Sequence, residues 1–128
     1  MTIECRFDHI HVMTRDVAAA GDWFRDFLGG RIVGRVESAE RPRIDVDLGG
    51  VRLFISPYSA SAGGISSSDH RPGMDHVAFV VDDVDAAVAE LSARGVIVLD
   101  QPFDSRPGVR AAFLQGPDNI RIELLKRG

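Results

Sequence analysis

Along the first thirty residues the spacing of apolar positions changes once. In HIHVM, from His9, Ile10 and Val12 alternate with His9, His11 and Met13, the period of a strand with one packed face. From Val17 the interval lengthens. Val17, Ala20, Phe24 and Phe27/Leu28 recur every three to four residues, which predicts an amphipathic helix. Asp16 stands at the N-cap position, where its carboxylate can accept from free helix N–H groups, and Gly29-Gly30 stands where the helix must stop. Strand periodicity then returns in RIVGRVES, RPRIDVDL and VRLFIS, the last two joined by Gly49-Gly50, a tight hairpin turn. The predicted order is β-α-β-β-β.

That order occurs twice. HVAFVVDDVDAAVAELSARGV, from His76, repeats the opening segment at an offset of 67 residues. His9 falls on His76, Val12 on Phe79, Asp16 on Asp83, Val17 on Val84 and Phe24 on Leu91. Val84, Ala87/Val88 and Leu91 form the second helical stripe, closed by Gly95, and VIVLDQ, VRAAFLQ and NIRIELLK follow as strands. The turn between the last two is Gly116-Pro117-Asp118-Asn119. The chain thus divides into a first module of about 5–56, a polar Ser/Gly-rich connector of about 57–73, and a second module of about 74–127. At 128 residues we expect a single α+β domain, built from two βαβββ modules with helices outside the sheets.

Composition narrows the functional classes. With 15 basic against 19 acidic residues the net charge is −4, and no Lys/Arg cluster offers the basic footprint that nucleic acid requires. The single cysteine, Cys5, rules out an intrachain disulfide and suits a reducing, cytoplasmic setting. MTIECRFDHI contains no apolar signal core, and no apolar run reaches bilayer length, so no membrane partner is expected.

The candidate chemistry lies on one sheet face. If Ile10 and Val12 pack against the helix, then Phe7, His9, His11 and Met13 face away from it. By the same alternation His76 faces away from the second helix, as do Arg121, Glu123 and Leu125 in NIRIELL. Each of these residues alone has an ordinary explanation as an edge-strand or solvated side chain. Recurrence of His9 as His76, and the setting of Glu123 among apolar neighbours, favour a shared task. Two imidazoles and one carboxylate make a facial set suited to a divalent ion with open coordination positions. His11, two residues from His9 and about 6–7 Å further along the strand, is too far to ligate the same ion easily but suits proton transfer. Arg43, Asp45 and Asp47 alternate along one strand, either as a solvated face or as part of the cavity wall. Trp23, Phe24 and Phe27 read as core.

DHIHVMTRDVAAAGDWFRDFLGG, GMDHVAFVVDDVDAAVAELSARG and GPDNIRIELL resemble the glyoxalase I/bleomycin-resistance/extradiol-dioxygenase group, the vicinal oxygen chelate superfamily. The resemblance covers nearly the whole chain and implies sheets that curl into an open barrel around a divalent metal (Fe, Mn, Zn, Ni or Co). Its ligand positions fall on His9, His76 and Glu123. A fourth ligand position falls on Phe54 when VRLF is set against IRIE, or on Ser56 by the constant offset, and neither matches the Glu, Gln or His of glyoxalase I and epimerase relatives.

The expected function is a metal-dependent lyase or isomerase acting on a small oxygen-bearing substrate with a hydrophobic body. His11 and Glu123 are the catalytic candidates, and Phe7, Met13, Phe54, Ser56 and Arg121 the substrate-binding ones. Extradiol-type dioxygenase and fosfomycin-resistance-type thiol transferase are the enzymatic alternatives. A metal-free, antibiotic-sequestering protein of the bleomycin-resistance kind is the binding alternative, which the retained His9, His76 and Glu123 disfavour. The resemblance further implies a homodimer.

Overall fold

The computed structural model describes residues 4, 8–39, 42–57, 74 and 76–128. Cys5, Phe7, His70 and nearly all of the predicted connector lie outside the described residues. The chain forms two compact units, residues 1–62 and 63–128. In the first, β1 (Ile10–Thr14), α1 (Val17–Leu28), β2 (Arg31–Val36), β3 (Arg43–Leu48) and β4 (Val51–Pro57) follow the predicted order. In the second, β5 (Val77–Val80), α2 (Val84–Ala93), β6 (Ile97–Arg106), β7 (Val109–Gln115) and β8 (Arg121–Arg127) repeat it. Among the described residues the strands make two four-stranded mixed sheets, ordered β1-β4-β3-β2 and β5-β8-β7-β6. In each, the first strand pairs parallel with the last, and the remaining pairs are antiparallel.

The helix boundaries follow from the caps. Asp16 Oδ1 accepts from the Ala19 N–H at 3.0 Å, and Asp83 Oδ1 accepts from that of Ala86 at 3.0 Å. Gly29 closes α1 with φ 69°, a left-handed conformation that suits a residue without Cβ. Phe24, 1% exposed, lies on the α1 face that packs on β3 and β4 and shares the core with Ile44, Val46, Leu53 and Ile55. Burying one such ring contributes roughly 2–3 kcal/mol. In the second unit Val84, Val88 and Leu91 of α2 and Leu114, Ile122 and Leu124 of the sheet are buried.

Strand alternation leaves the opposite face of each sheet for polar groups. His11 pairs with Phe54, Met13 with Ser56, and Phe54 with Asp45, which puts all five side chains on the face away from α1. In the second sheet Ala78 pairs with Glu123 and Glu123 with Phe113, again opposite the helix-packed residues.

Two strands differ from the sequence reading. β6 continues past the predicted VIVLDQ through Pro102 to Arg106, with register irregularities between Val98 and Asp100 and between Asp100 and Phe103. Proline is tolerated there because β6 is an edge strand, where the missing N–H breaks no ladder bond on the open side. β8 begins at Arg121, after a single 3-10 turn (Pro117–Asn119) in which Asp118 and Asn119 take positive φ.

Candidate functional site

In the first unit His9 immediately precedes β1. Its Nδ1 lies 2.6 Å from Asp8 Oδ2, and its ring stacks on Phe54 with centroids 3.9 Å apart and planes inclined by 23°. The Arg43 guanidinium carbon sits 4.0 Å from the same phenyl centroid. Two groups at that range do not fit on one ring face, so Phe54 is held between His9 and Arg43. Asp45 fixes the arginine by accepting from Nε at 2.8 Å and from Nη2 at 3.2 Å. His11, with ring centroid 6.1 Å from that of His9, has its Nε2 2.8 Å from Ser56 Oγ.

In the second unit His76 immediately precedes β5. Its Nε2 lies 3.2 Å from Glu123 Oε1 on β8. Phe113 of β7 meets the His76 ring edge-on at 5.3 Å, with planes at 85°. Arg121 covers Phe113 at 4.1 Å and donates from Nη2 to Asp100 Oδ2 at 3.1 Å, leaving its side chain 10% exposed. The one arginine in the predicted substrate-binding set is therefore engaged with its own sheet.

Register fixes the equivalence that the sequence left open. His11 corresponds to Ala78 by the repeat, and these residues pair with Phe54 and Glu123 respectively. Phe54, not Ser56, is the counterpart of Glu123. The offset grows in two steps, since Asp45 and Phe113, the partners of Phe54 and Glu123, are already 68 residues apart, and the hairpin beyond them is one residue longer in the second unit.

Of the predicted residues, His9, His11, Met13, Phe54 and Ser56 share one face of the first sheet, and His76, Glu123 and Arg121 gather in the second. Phe7 lies outside the described residues. Asp8, Arg43 as the partner of Phe54, Phe103 and Phe113 were not singled out in these roles by sequence reasoning. Alternation within VRAAFLQ carries the signal for Phe113, since Ala112 and Leu114 take the packed face.

Two of the expected donors, His76 and Glu123, stand at a spacing that suits one divalent ion. Ligand atoms sharing one ion, with bonds of about 2.0–2.2 Å, lie roughly 3.0–3.6 Å apart. The His76–Glu123 separation of 3.2 Å falls within that interval. Asp8 on Nδ1 of His9 is the carboxylate support that commonly orients a metal-binding imidazole and directs Nε2 outward. Within either unit, among the described residues, no three His, Cys, Asp or Glu side chains gather closely enough to hold an ion alone.

Comparison with known proteins identifies the architecture. The family model for the Glyoxalase/Bleomycin resistance protein/Dioxygenase superfamily matches residues 6–124. The chain belongs to this superfamily. It is 30% identical over 124 residues to the uncharacterized protein YaeR of Escherichia coli (strain K12), covering 93% of this chain and 94% of YaeR. It is 27% identical over 127 residues to the mitochondrial methylmalonyl-CoA epimerase of Mus musculus, covering 93% of this chain and 71% of the epimerase. Among solved structures, the fosfomycin resistance protein FosX from Listeria monocytogenes, complexed with Mn(II) and sulfate ion, aligns with a TM-score of 0.72 at 16% identity. That alignment covers 98% of this chain and 95% of FosX, and it shows a shared fold. This member of the glyoxalase superfamily thus has the family's paired βαβββ units, with a phenyl ring where its own repeat has a carboxylate.

Proposed function

We propose that this superfamily member is a divalent-metal-dependent enzyme, a lyase or isomerase, acting on a small oxygen-bearing substrate with a hydrophobic body. In this reading His76 and Glu123 hold the ion, with His9, of the same chain or of a dimer partner, as the third ligand. The observation that carries this reading is the 3.2 Å separation of His76 Nε2 and Glu123 Oε1, the spacing of two donors to one metal. The Mn(II) complex of FosX, a protein of the same fold, supports it. When bound, the ion supplies Lewis-acid stabilisation of negative charge on a substrate oxygen.

The remaining work falls to the chain's own groups. Asp8 orients His9 through Nδ1, and Phe54 supports the flat of its ring. His11 moves the proton. The Ser56 hydroxyl can donate to an unprotonated Nε2 or accept from a protonated one, so a proton taken up at that nitrogen can be held and returned. Met13 and Phe54 give the same face apolar surface for the substrate body. The proposal includes a homodimer, because Met13 and Val80, 51% and 71% exposed, stand on β1 and β5 at the sheet edges.

Equilibrium metal titration tests the site. Wild-type protein should take up one Mn(II), Zn(II), Co(II), Ni(II) or Fe(II) ion per chain. Glu123→Gln and His76→Ala should each lose affinity by roughly a hundredfold or more, as loss of an inner ligand does where outer partners already cost 10–100-fold. Uptake unchanged in both variants overturns the reading. Exchange of carbon-bound protons into D2O, followed by NMR across 2-oxo acids, 2-hydroxy ketones and thioesters, then finds the substrate class. Oxygen consumption by the iron form would point to dioxygenase chemistry instead.

A further inference from the structure

Beyond the ligand pair, the second sheet carries an apolar surface that the ligand set does not use. Phe103 on β6 pairs in register with Ala111, which lies two residues from Phe113 on the same face. Phe113 pairs with Glu123. Phe103, Phe113 and Glu123 therefore share the face opposite α2. The two phenyl rings lie nearly parallel, inclined by 22°, with centroids 6.3 Å apart. Ala111, fully buried on β7 between β8 and β6, has no bulk to separate the rings. Phe113 touches the edge of His76 at 5.3 Å, so the surface begins at the ligand pair and runs outward. At its outer end Phe103 is 37% exposed, so the apolar surface reaches the edge strand β6.

The polar groups nearby are already committed. The Arg121 guanidinium lies over Phe113 and is paired with Asp100. A flat, rigid group gains dispersion contact with both rings and loses little rotamer freedom, whereas a flexible chain loses more on being ordered.

We infer that Phe103 and Phe113 form the substrate's body-binding platform, and that the enzyme selects oxygen chelators bearing a planar aromatic group. This rests on the metal-centre reading above and specifies the substrate class of that site. Phe103 is the specificity-determining residue, since it extends the platform beyond the ring that already braces His76.

Two hydroxamates test this, because acetohydroxamate and benzohydroxamate present the same pair of oxygens and differ in a methyl or a phenyl group. Each is titrated by calorimetry into the metal-loaded chain, in wild type, Phe103→Ala and Phe103→Leu. Wild type should bind benzohydroxamate about tenfold more tightly than acetohydroxamate, the scale of one aromatic contact. Phe103→Ala should reduce that preference to about threefold or less without changing acetohydroxamate affinity, and Phe103→Leu should fall between. No preference in wild type, or an equal preference in Phe103→Ala, overturns the aromatic platform while leaving the metal centre standing. Absence of metal uptake, with neither hydroxamate bound, overturns both. Near-UV circular dichroism confirms that the variants are folded.

Discussion

Phe54 occupies in the first sheet the place that Glu123 occupies in the second. The repeat puts a histidine beside each, but His9 stacks on a phenyl ring at 3.9 Å, whereas His76 faces a carboxylate oxygen at 3.2 Å. One half of the chain therefore offers a single candidate ligand and the other offers two. Phe54→Glu should restore the missing carboxylate and tighten divalent-metal binding by on the order of tenfold, since affinity rises with ligand charge. Competition titration against a chelating dye measures it. Weaker or unchanged binding would mean that position 54 does not approach the ion.

His11 provides a separation of roles. It bonds to Ser56 and has no counterpart in the second unit, where Ala78 takes its place. His11→Gln should keep metal affinity within about twofold of wild type while turnover falls by roughly 10²–10⁴-fold, the usual contribution of a positioned acid or base. Parallel loss of metal would reassign His11 to the ligand set.

Packing beneath the first sheet is tight at Gly30. A Cβ added there would lie 2.8 Å from Val46 Cγ1, 3.0 Å from Leu48 Cδ2 and 3.2 Å from the Phe24 carbonyl oxygen. Gly30→Ala should destabilise the chain by about 1–3 kcal/mol, as overpacking does. Urea unfolding would report this as a lower midpoint with an unchanged slope.

One surface ion pair ties the start of α2 to the β6–β7 hairpin. Arg110 donates to both oxygens of Asp85, from Nε at 3.0 Å and Nη2 at 2.8 Å, and from Nη1 to Asp104 at 3.3 Å. The hydrogen bonds from Arg110 hold the Asp85 carboxyl below its ordinary value of 3.8, and the charge attraction adds to them. Because the folded value is the lower one, the stabilisation is present above the ordinary range and disappears as pH falls through the folded value. Asp85→Asn should therefore lower Tm slightly at neutral pH, with the gap to wild type closing as the solution is acidified below 3.8. Thermal melts at stepped pH provide the check, and a gap that widens in acid would contradict the assignment.

Much of this organisation is written in local pattern. Asp16 and Asp83 mark the helix starts, and the switch between two-residue and three-to-four-residue spacing marks each unit's first three elements. Long-range register is less legible. The Phe54–Glu123 equivalence departs from the constant offset by two positions, one gained before the last hairpin of the unit and one within it, and strand pairing decides between the two alignments that the sequence offers. β6 ran past its predicted end because Pro102 is a stop signal in a central strand but not at an edge. Phe103 consequently fell outside the predicted strand. The Arg43–Phe54–His9 stack joins residues 34 and 45 positions from the histidine, and no local rule relates them.

The parallel pairing of β5 with β8 also sets an order in time. His76 and Glu123 stand at opposite ends of the unit's chain, so their 3.2 Å approach exists only once β8 lies beside β5. During synthesis or refolding the pair can bind nothing as a pair until β8 inserts beside β5. The contact thus joins the two ends of the unit's chain across the β5–β8 pairing.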